Sequence, residues 1–351
     1  MLKQLPVPRT GDPRDAPSLR WGILGPGWIA ERFVAALARH TTQRVTAVGS
    51  RDDLRAQQFA DRFDIPVAHG SYQALLNDPT VDVVYVSTPH PAHHRCAVDA
   101  IAAGKHVLVE KPLALNAVQG REIAEAAAAA RVFAGEAMWT RFLPKFDVIR
   151  QILDDGMLGP VRTVIADHGE YFTPDHRIFD PALAGGPLLD LGTYPIAFAN
   201  WVLGRVDSVA AVGQSVPTGR SGTPEINGQI SAVFGHARGA QSLANTTILA
   251  DTPTTAVVAG VDGTMVLPGP FYQPGSFSVR LRAGSTFVHD ETAVGHSDAL
   301  HFCPVDAARD IVSGAVTSSI HPLSDAIETI EVMDRVRAAL GITFVDEAPA
   351  T

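Results

Sequence analysis

The residues most able to do chemistry in this chain begin with Gly25, Pro26 and Gly27, set in the run WGILGPGWIA at 21–30. An apolar strand leads into this glycine turn and a helical pattern leaves it. A pyrophosphate can rest on free backbone N–H groups at a helix start only if no side chain at Gly25 or Gly27 blocks it, so the run reads as a G-x-G-x-x-A dinucleotide turn. Trp28 and Ile29 then lie at the cofactor-facing helix start, and Ala30 permits close helix–strand packing. An ordinary tight strand-to-helix turn would look the same in isolation. The strand ending at Ser50, followed by Arg51 and, one helical turn later, Arg55, stands where an adenosine ribose would sit. A carboxylate there would suit NAD, whereas a hydroxyl and guanidinium groups suit the 2′-phosphate of NADP, so NADP is the expected cofactor with NAD the variant. The competing reading is a solvated helix start beside Asp52 and Asp53.

Three later strand ends carry polar residues: Ser87, Thr88, His90 and His93; Glu110 and Lys111 before Pro112; and Trp139 and Arg141. In an open parallel sheet ligands gather at such carboxyl ends, so all are expected at the cofactor. Pro112 biases Lys111 to an extended backbone, which aims its ammonium into the cleft to bind a substrate hydroxyl or the nicotinamide ribose, with Glu110 pointing the other way. A surface lysine paired with Glu110 is the bland alternative. After Gly185, Gly186 and Pro187, Asp190 and Tyr194 stand four apart and would share one helix face, a carboxylate and a phenol on an otherwise greasy helix. Asp190 interacting with the helix start and Tyr194 buried in the core is equally compatible. His90, His93 and His94 lack the spacing of a zinc helix, so no metal is expected, and no serine stands in a G-x-S-x-G setting.

The elements that must position these groups follow from periodicity. Strands near 21–25, 45–50, 82–88, 106–110 and 133–138 alternate with helices near 28–39, 52–63, 92–103 and 116–131, the rhythm of a doubly wound α/β parallel sheet. After a helix near 143–155, extended runs near 161–172, 207–216, 227–236, 240–250, 255–267 and 276–290 follow one another, interrupted by a helix at 187–203. Strand after strand implies an antiparallel-rich sheet. Two helices end the chain. The expected organisation is a mobile N-terminal arm (1–19), an NADP-binding Rossmann domain (20–142) and an α+β substrate and oligomerisation domain (143–351) on an open-faced sheet, its terminal helices packing back on the Rossmann domain. The chain has 351 residues, 46% hydrophobic, enough for about two domains. A net charge of −9 without a basic run argues against a nucleic-acid partner. Two cysteines, Cys96 and Cys303, exclude a disulfide framework and suit a reducing cytoplasm. No apolar stretch is long enough to span a membrane.

Together these residues resemble the glucose–fructose oxidoreductase, inositol dehydrogenase and rhizopine-catabolism family over nearly the whole chain after residue 20. Trp139, Thr140, Arg141 and Phe142, with a tyrosine at 194 where many relatives have histidine, look most like its branch of dimeric dihydrodiol dehydrogenases and NADP-linked xylose dehydrogenases. The resemblance implies a Rossmann domain followed by an open-faced sheet often used for oligomerisation, hence a homodimer or homotetramer. It also implies hydride transfer between NADP and a carbinol carbon of a sugar, polyol or cyclic diol. Tyr194 is expected to exchange the proton, Lys111 to stabilise its phenolate from the first lobe, and Asp190 to hold a second substrate hydroxyl. Lys111 as the direct proton carrier is the rival assignment. A glycosidase that oxidises and re-reduces its sugar, or a nucleotide sensor without catalysis, are the alternative functions.

Overall fold

The computed structural model describes residues 4–219 and 222–345. The first three residues and the last six of the expected domains lie outside it. The chain divides into two compact units, and the division is not a single cut: Thr10–Leu143 groups with Val294–Ile327, while the residues up to Arg9, Pro144–Ala293 and those from Glu328 onward form the other.

The first unit is built on six parallel strands: β1 (Arg20–Leu24), β2 (Arg44–Gly49), β3 (Val67–His69), β4 (Val83–Val86), β5 (His106–Glu110) and β6 (Ala134–Ala137). Their order is β3-β2-β1-β4-β5-β6, so the chain reverses direction across the sheet after β3 and the β1/β4 edge is the switch point. Helices α1 (Trp28–His40), α2 (Asp53–Phe63), α3 (Tyr72–Leu76), α4 (His93–Ala102) and α5 (Ala117–Ala130) make the crossovers. The sheet core is near-continuously apolar: Ile23, Leu24, Val83, Val84, Val86, Val107 and Val109 are all fully buried, as a parallel strand covered on both faces requires. Helix α8 (Phe302–Val312) belongs to this unit as well. The short β3 and α3 have no counterpart in the sequence reading, because three half-buried edge residues and a five-residue helix carry no periodic signal. The arm expected to be mobile makes specific contacts instead: Ser18 Oγ donates to Thr42 O at 2.6 Å and Gln43 Nε2 to Pro17 O at 2.7 Å.

The second unit carries α6 (Pro144–Asp154), α7 (Thr193–Leu203) and an eight-stranded sheet. Its strands are β7 (Val161–Gly169), β8 (Val206–Val216), β9 (Ile226–His236), β10 (Gln241–Thr247), β11 (Ala256–Gly260), β12 (Gly263–Leu267), β13 (Phe277–Leu281) and β14 (Thr286–His289), in the order β14-β13-β12-β11-β7-β10-β9-β8. Only β7 and β10 pair in parallel; the rest is antiparallel. The extended runs expected at 255–267 and 276–290 are each a hairpin of two strands, broken at residues 261–262 and 282–285. Along β7, Val164, Ala166 and His168 are buried toward α7 while Ile165 faces away, the period of two that a sheet with one covered face imposes. The uncovered face shows a row across neighbouring strands: Val233 opposite Leu243, Leu243 opposite Ile165, Ile165 opposite Val257, Val257 opposite Val266. Ile165, Val233, Leu243 and Val266 are each 40% exposed or more.

Candidate active site

In the first unit, the turn between β1 and α1 is shaped for an anion. Gly25 has φ +93°, and a Cβ there would lie 3.1 Å from Ser87 O, so only glycine fits without strain. Ser87 Oγ donates to Gly25 O at 2.9 Å and so fixes the turn. Gly27 caps α1 with extended backbone and no side-chain hydrogen bond, and a Cβ built on it meets nothing within 4 Å. Helices α2, α3 and α5 are capped by Asp52, Ser71 and Asn116 respectively. The first turn of α1 therefore keeps its N–H groups for something else, under open space of the kind a cofactor pyrophosphate needs; the residues present fit that group. Trp28 at this start is exposed, with the Arg32 guanidinium 3.8 Å above its ring. Ile29, the next residue, is half-buried.

At the end of β2, Ser50 is buried and its Oγ accepts from Asp52 N at 3.1 Å, so the hydroxyl shapes the start of α2 and retains its own proton for a ligand. Arg51 and Arg55 are exposed, and neither pairs with a carboxylate among the described residues; Arg51 hydrogen bonds the Tyr72 hydroxyl. Asp52 Oδ1 accepts from Arg55 N at 3.2 Å and so caps α2, and the Asp53 side chain lies against Gly70.

At the ends of β4 and β5 the structure separates residues that the sequence reading grouped. His93 is 1% exposed and its two ring nitrogens lie 2.9 Å from Pro112 O and 2.8 Å from Thr88 O. It braces the two loops, and burial pushes its pKa down. His90 packs edge-on against it with ring centroids 5.5 Å apart. His94 Nε2 sits 2.7 Å from Glu122 Oε2, and no group of three or more metal-ligating side chains occurs among the described residues. Glu110 accepts from the Tyr85 hydroxyl and from its neighbour Lys111 N at 3.2 Å; burial pushes its carboxyl up to about 7. Lys111, half-buried, is joined to Pro112 by a cis peptide bond.

The Arg141 guanidinium donates to Ile320 O at 3.2 Å, reaches His321 Nδ1 at 3.4 Å and pairs with Asp325 at 3.5 Å. His321 Nε2 in turn lies 2.7 Å from Glu136 Oε2, and Glu136 Oε1 accepts from Leu113 N at 2.7 Å. A buried arginine needs such partners, and here they clamp residues 320–325 to the loop after β6. Trp139 stacks on His296, centroids 4.9 Å apart.

In the second unit the expected single helix at 187–203 begins as a π-helical turn, Leu188–Gly192, before α7. Gly186 has φ +106°, and a Cβ there would lie 2.9 Å from Asn227 O. A π turn advances the chain differently from an α turn, so the four-residue spacing does not by itself put Asp190 and Tyr194 on one face. Asp190 is instead an ion-pair partner of Arg177 at 2.9 Å. Tyr194 is 8% exposed, stacked on Tyr272 with centroids 4.3 Å apart and tilted against His168 at 5.5 Å. His168 Nε2 lies 2.9 Å from Glu170 Oε1, which the Tyr272 hydroxyl reaches at 3.4 Å; the histidine's hydrogen bond holds the Glu170 carboxyl below its usual range. Arg177, His168, Glu170 and Tyr272 escaped the sequence reading. The available signal was the alternation along β7, which puts a histidine on the covered face where an apolar residue is the norm.

Residues 19–136 match the model of the oxidoreductase family with an NAD-binding Rossmann fold, and residues 146–266 match the GFO/IDH/MocA C-terminal domain. A trans-1,2-dihydrobenzene-1,2-diol dehydrogenase of Bos taurus is 33% identical over 340 residues, covering 93% of this chain and 98% of the relative. KijD10, a 3-ketoreductase of Actinomadura kijaniata solved with NADP and TDP-benzene, is 25% identical with a TM-score of 0.77, over 92% of this chain and 98% of its own. A levoglucosan dehydrogenase solved with NADH and levoglucosan is similar in fold, with a TM-score of 0.83 at 18% identity, over 93% and 98%.

Proposed function

Because the chain belongs to the GFO/IDH/MocA family of NAD(P)-binding oxidoreductases, we propose that it moves a hydride between NADP and a hydroxyl-bearing carbon of a sugar, polyol or cyclic diol. The observation that carries this reading is the uncapped first turn of α1 beneath open space at Gly27. Bound nicotinamide would supply or accept the hydride. The chain's own residues bind and move protons: the N–H groups of α1 hold the pyrophosphate, and Ser50, Arg51 and Arg55 hold the 2′-phosphate, a choice supported by the two guanidinium groups without carboxylate partners.

Tyr194 is the proposed acid–base group. A phenol with an ordinary pKa of about 10 is a poor base at neutral pH, so a cation must favour its ionised form, and Lys111 is the residue assigned that task. Asp190, held by Arg177, accepts a second substrate hydroxyl and fixes orientation. The uncovered row through Val233, Leu243, Ile165 and Val266 is the proposed contact between copies of this chain, since apolar side chains in line across a sheet gain from being covered. The test is NADPH absorbance across a panel containing trans-1,2-dihydrobenzene-1,2-diol and D-xylose, in both directions. Net NADPH formation from at least one of them is expected; glycoside cleavage without net NADPH, or cofactor binding with no turnover of any panel member, contradicts the reading.

A further inference from the structure

A phenol that takes up a proton in each turnover must return it to solvent, and Tyr194 is buried. The groups packed around it differ from a simple apolar wall. His168, 1% exposed, stacks on Tyr272 at 4.6 Å and touches Tyr194, while Glu170 on its far side has a carboxylate side chain 45% exposed. Nε2 of the imidazole is committed to Glu170 at 2.9 Å. Nδ1 is buried and has no hydrogen-bond partner among the described residues. A buried nitrogen left unpaired is destabilising, so its retention on the covered face of β7 calls for an explanation. One ring thus has an open acceptor in the Tyr194 layer and a donor bonded to a carboxylate that reaches water.

We propose that His168 and Glu170 form a proton relay between Tyr194 and solvent, an inference that rests on the assignment of Tyr194 as the acid–base group. In the oxidation direction the substrate O–H bond breaks and its proton goes to the Tyr194 oxygen. The Tyr194 O–H bond then breaks as its proton passes to a water between the two rings, which gives one of its own to His168 Nδ1, the atom that bonds no protein group; the Nε2–H bond breaks and that proton bonds to Glu170 Oε1, which releases it to water. The ring is then left with its proton on Nδ1; loss of that proton to water and return of one from water through Glu170 to Nε2 restores the starting tautomer, and reduction runs the same steps backwards. The other ionisable groups near Glu170 are Asp190, which opposes its charge, and His176, itself flanked by Arg177 and Asp175. Neither bonds a nitrogen of His168.

The relay makes two demands. First, in the resting protein His168 carries its proton on Nε2 and leaves Nδ1 bare, which nitrogen-15 shifts of the imidazole read without substrate, with the signal assigned by His168→Phe. A proton residing on Nδ1 with Nε2 bare would overturn the proposal. Second, His168→Phe keeps the ring stack but has no nitrogen, so single-turnover hydride transfer should slow by about tenfold or more with NADPH affinity unchanged, and added free imidazole should restore part of the rate. Glu170→Gln, which leaves His168 in place, should slow the same step. Wild-type rates in both variants would overturn the relay while leaving Tyr194 in its role. A Tyr194→Phe variant with normal turnover would instead remove the premise.

Discussion

At the scale of single residues the candidate site divides into groups left for a ligand and groups already used by the fold. Arg51 and Arg55 belong to the first: exposed guanidinium groups at the end of β2 with no carboxylate partner among the described residues. Replacing both with alanine should weaken NADP binding about 10- to 100-fold while leaving NAD binding nearly unchanged, in keeping with the ~1.5–3 kcal/mol of a hydrogen bond to a charged group. Calorimetric titration with each cofactor checks it, and equal losses for both would show that these side chains do not read the 2′-phosphate. Glu110 belongs to the second. Its carboxyl is raised to about 7, so between its unfolded value and that pH the folded state holds a proton that the unfolded chain has lost. That contribution is present below the unfolded pKa and is lost as pH rises through the folded one. Between about pH 5 and about pH 8 the wild type should therefore lose stability relative to Glu110→Gln, a trend that urea midpoints across the range would reveal.

At the scale of elements, the two glycines of the first turn make a matched pair. Gly25→Ala forces a side chain into φ +93° and against Ser87 O, which should cost about 1–3 kcal/mol of stability. Gly27→Val starts from a Cβ with nothing within 4 Å, so the fold should keep its stability while NADP(H) affinity falls by about tenfold or more, ~1.4 kcal/mol. Thermal melts with and without cofactor separate the two, and a Gly27→Val variant that binds normally would move the pyrophosphate elsewhere. The turn was legible in sequence because its requirement is local: no side chain and a helix directly after. The parallel strands were legible because burial on both faces leaves runs such as Val83–Val86 uniformly apolar. The partners of His93 and Arg141 were not legible, because they are backbone carbonyls and residues as distant as Ile320 and Asp325, which no local pattern encodes. The π turn at Leu188–Gly192 was equally hidden, since its apolar spacing fits an α-helix just as well.

At the scale of the whole molecule, the first unit carries the proposed cofactor turn, and the second carries the proposed acid–base phenol and, separately, an uncovered sheet face. If that face joins copies of the chain, replacing Ile165 and Leu243 with lysine should lower the sedimenting mass to that of a single chain without unfolding it, because both side chains point away from α7. An unchanged mass would move the contact to another surface. The central claim is that Tyr194 exchanges the proton that accompanies hydride transfer from a hydroxyl-bearing carbon. Its most direct test is stopped-flow NADPH formation in a single turnover by Tyr194→Phe beside the wild type, with cofactor affinity measured on the same preparations. The predicted result is a rate lower by about 100-fold or more with NADP(H) binding intact. A variant that transfers hydride at close to the wild-type rate would contradict it.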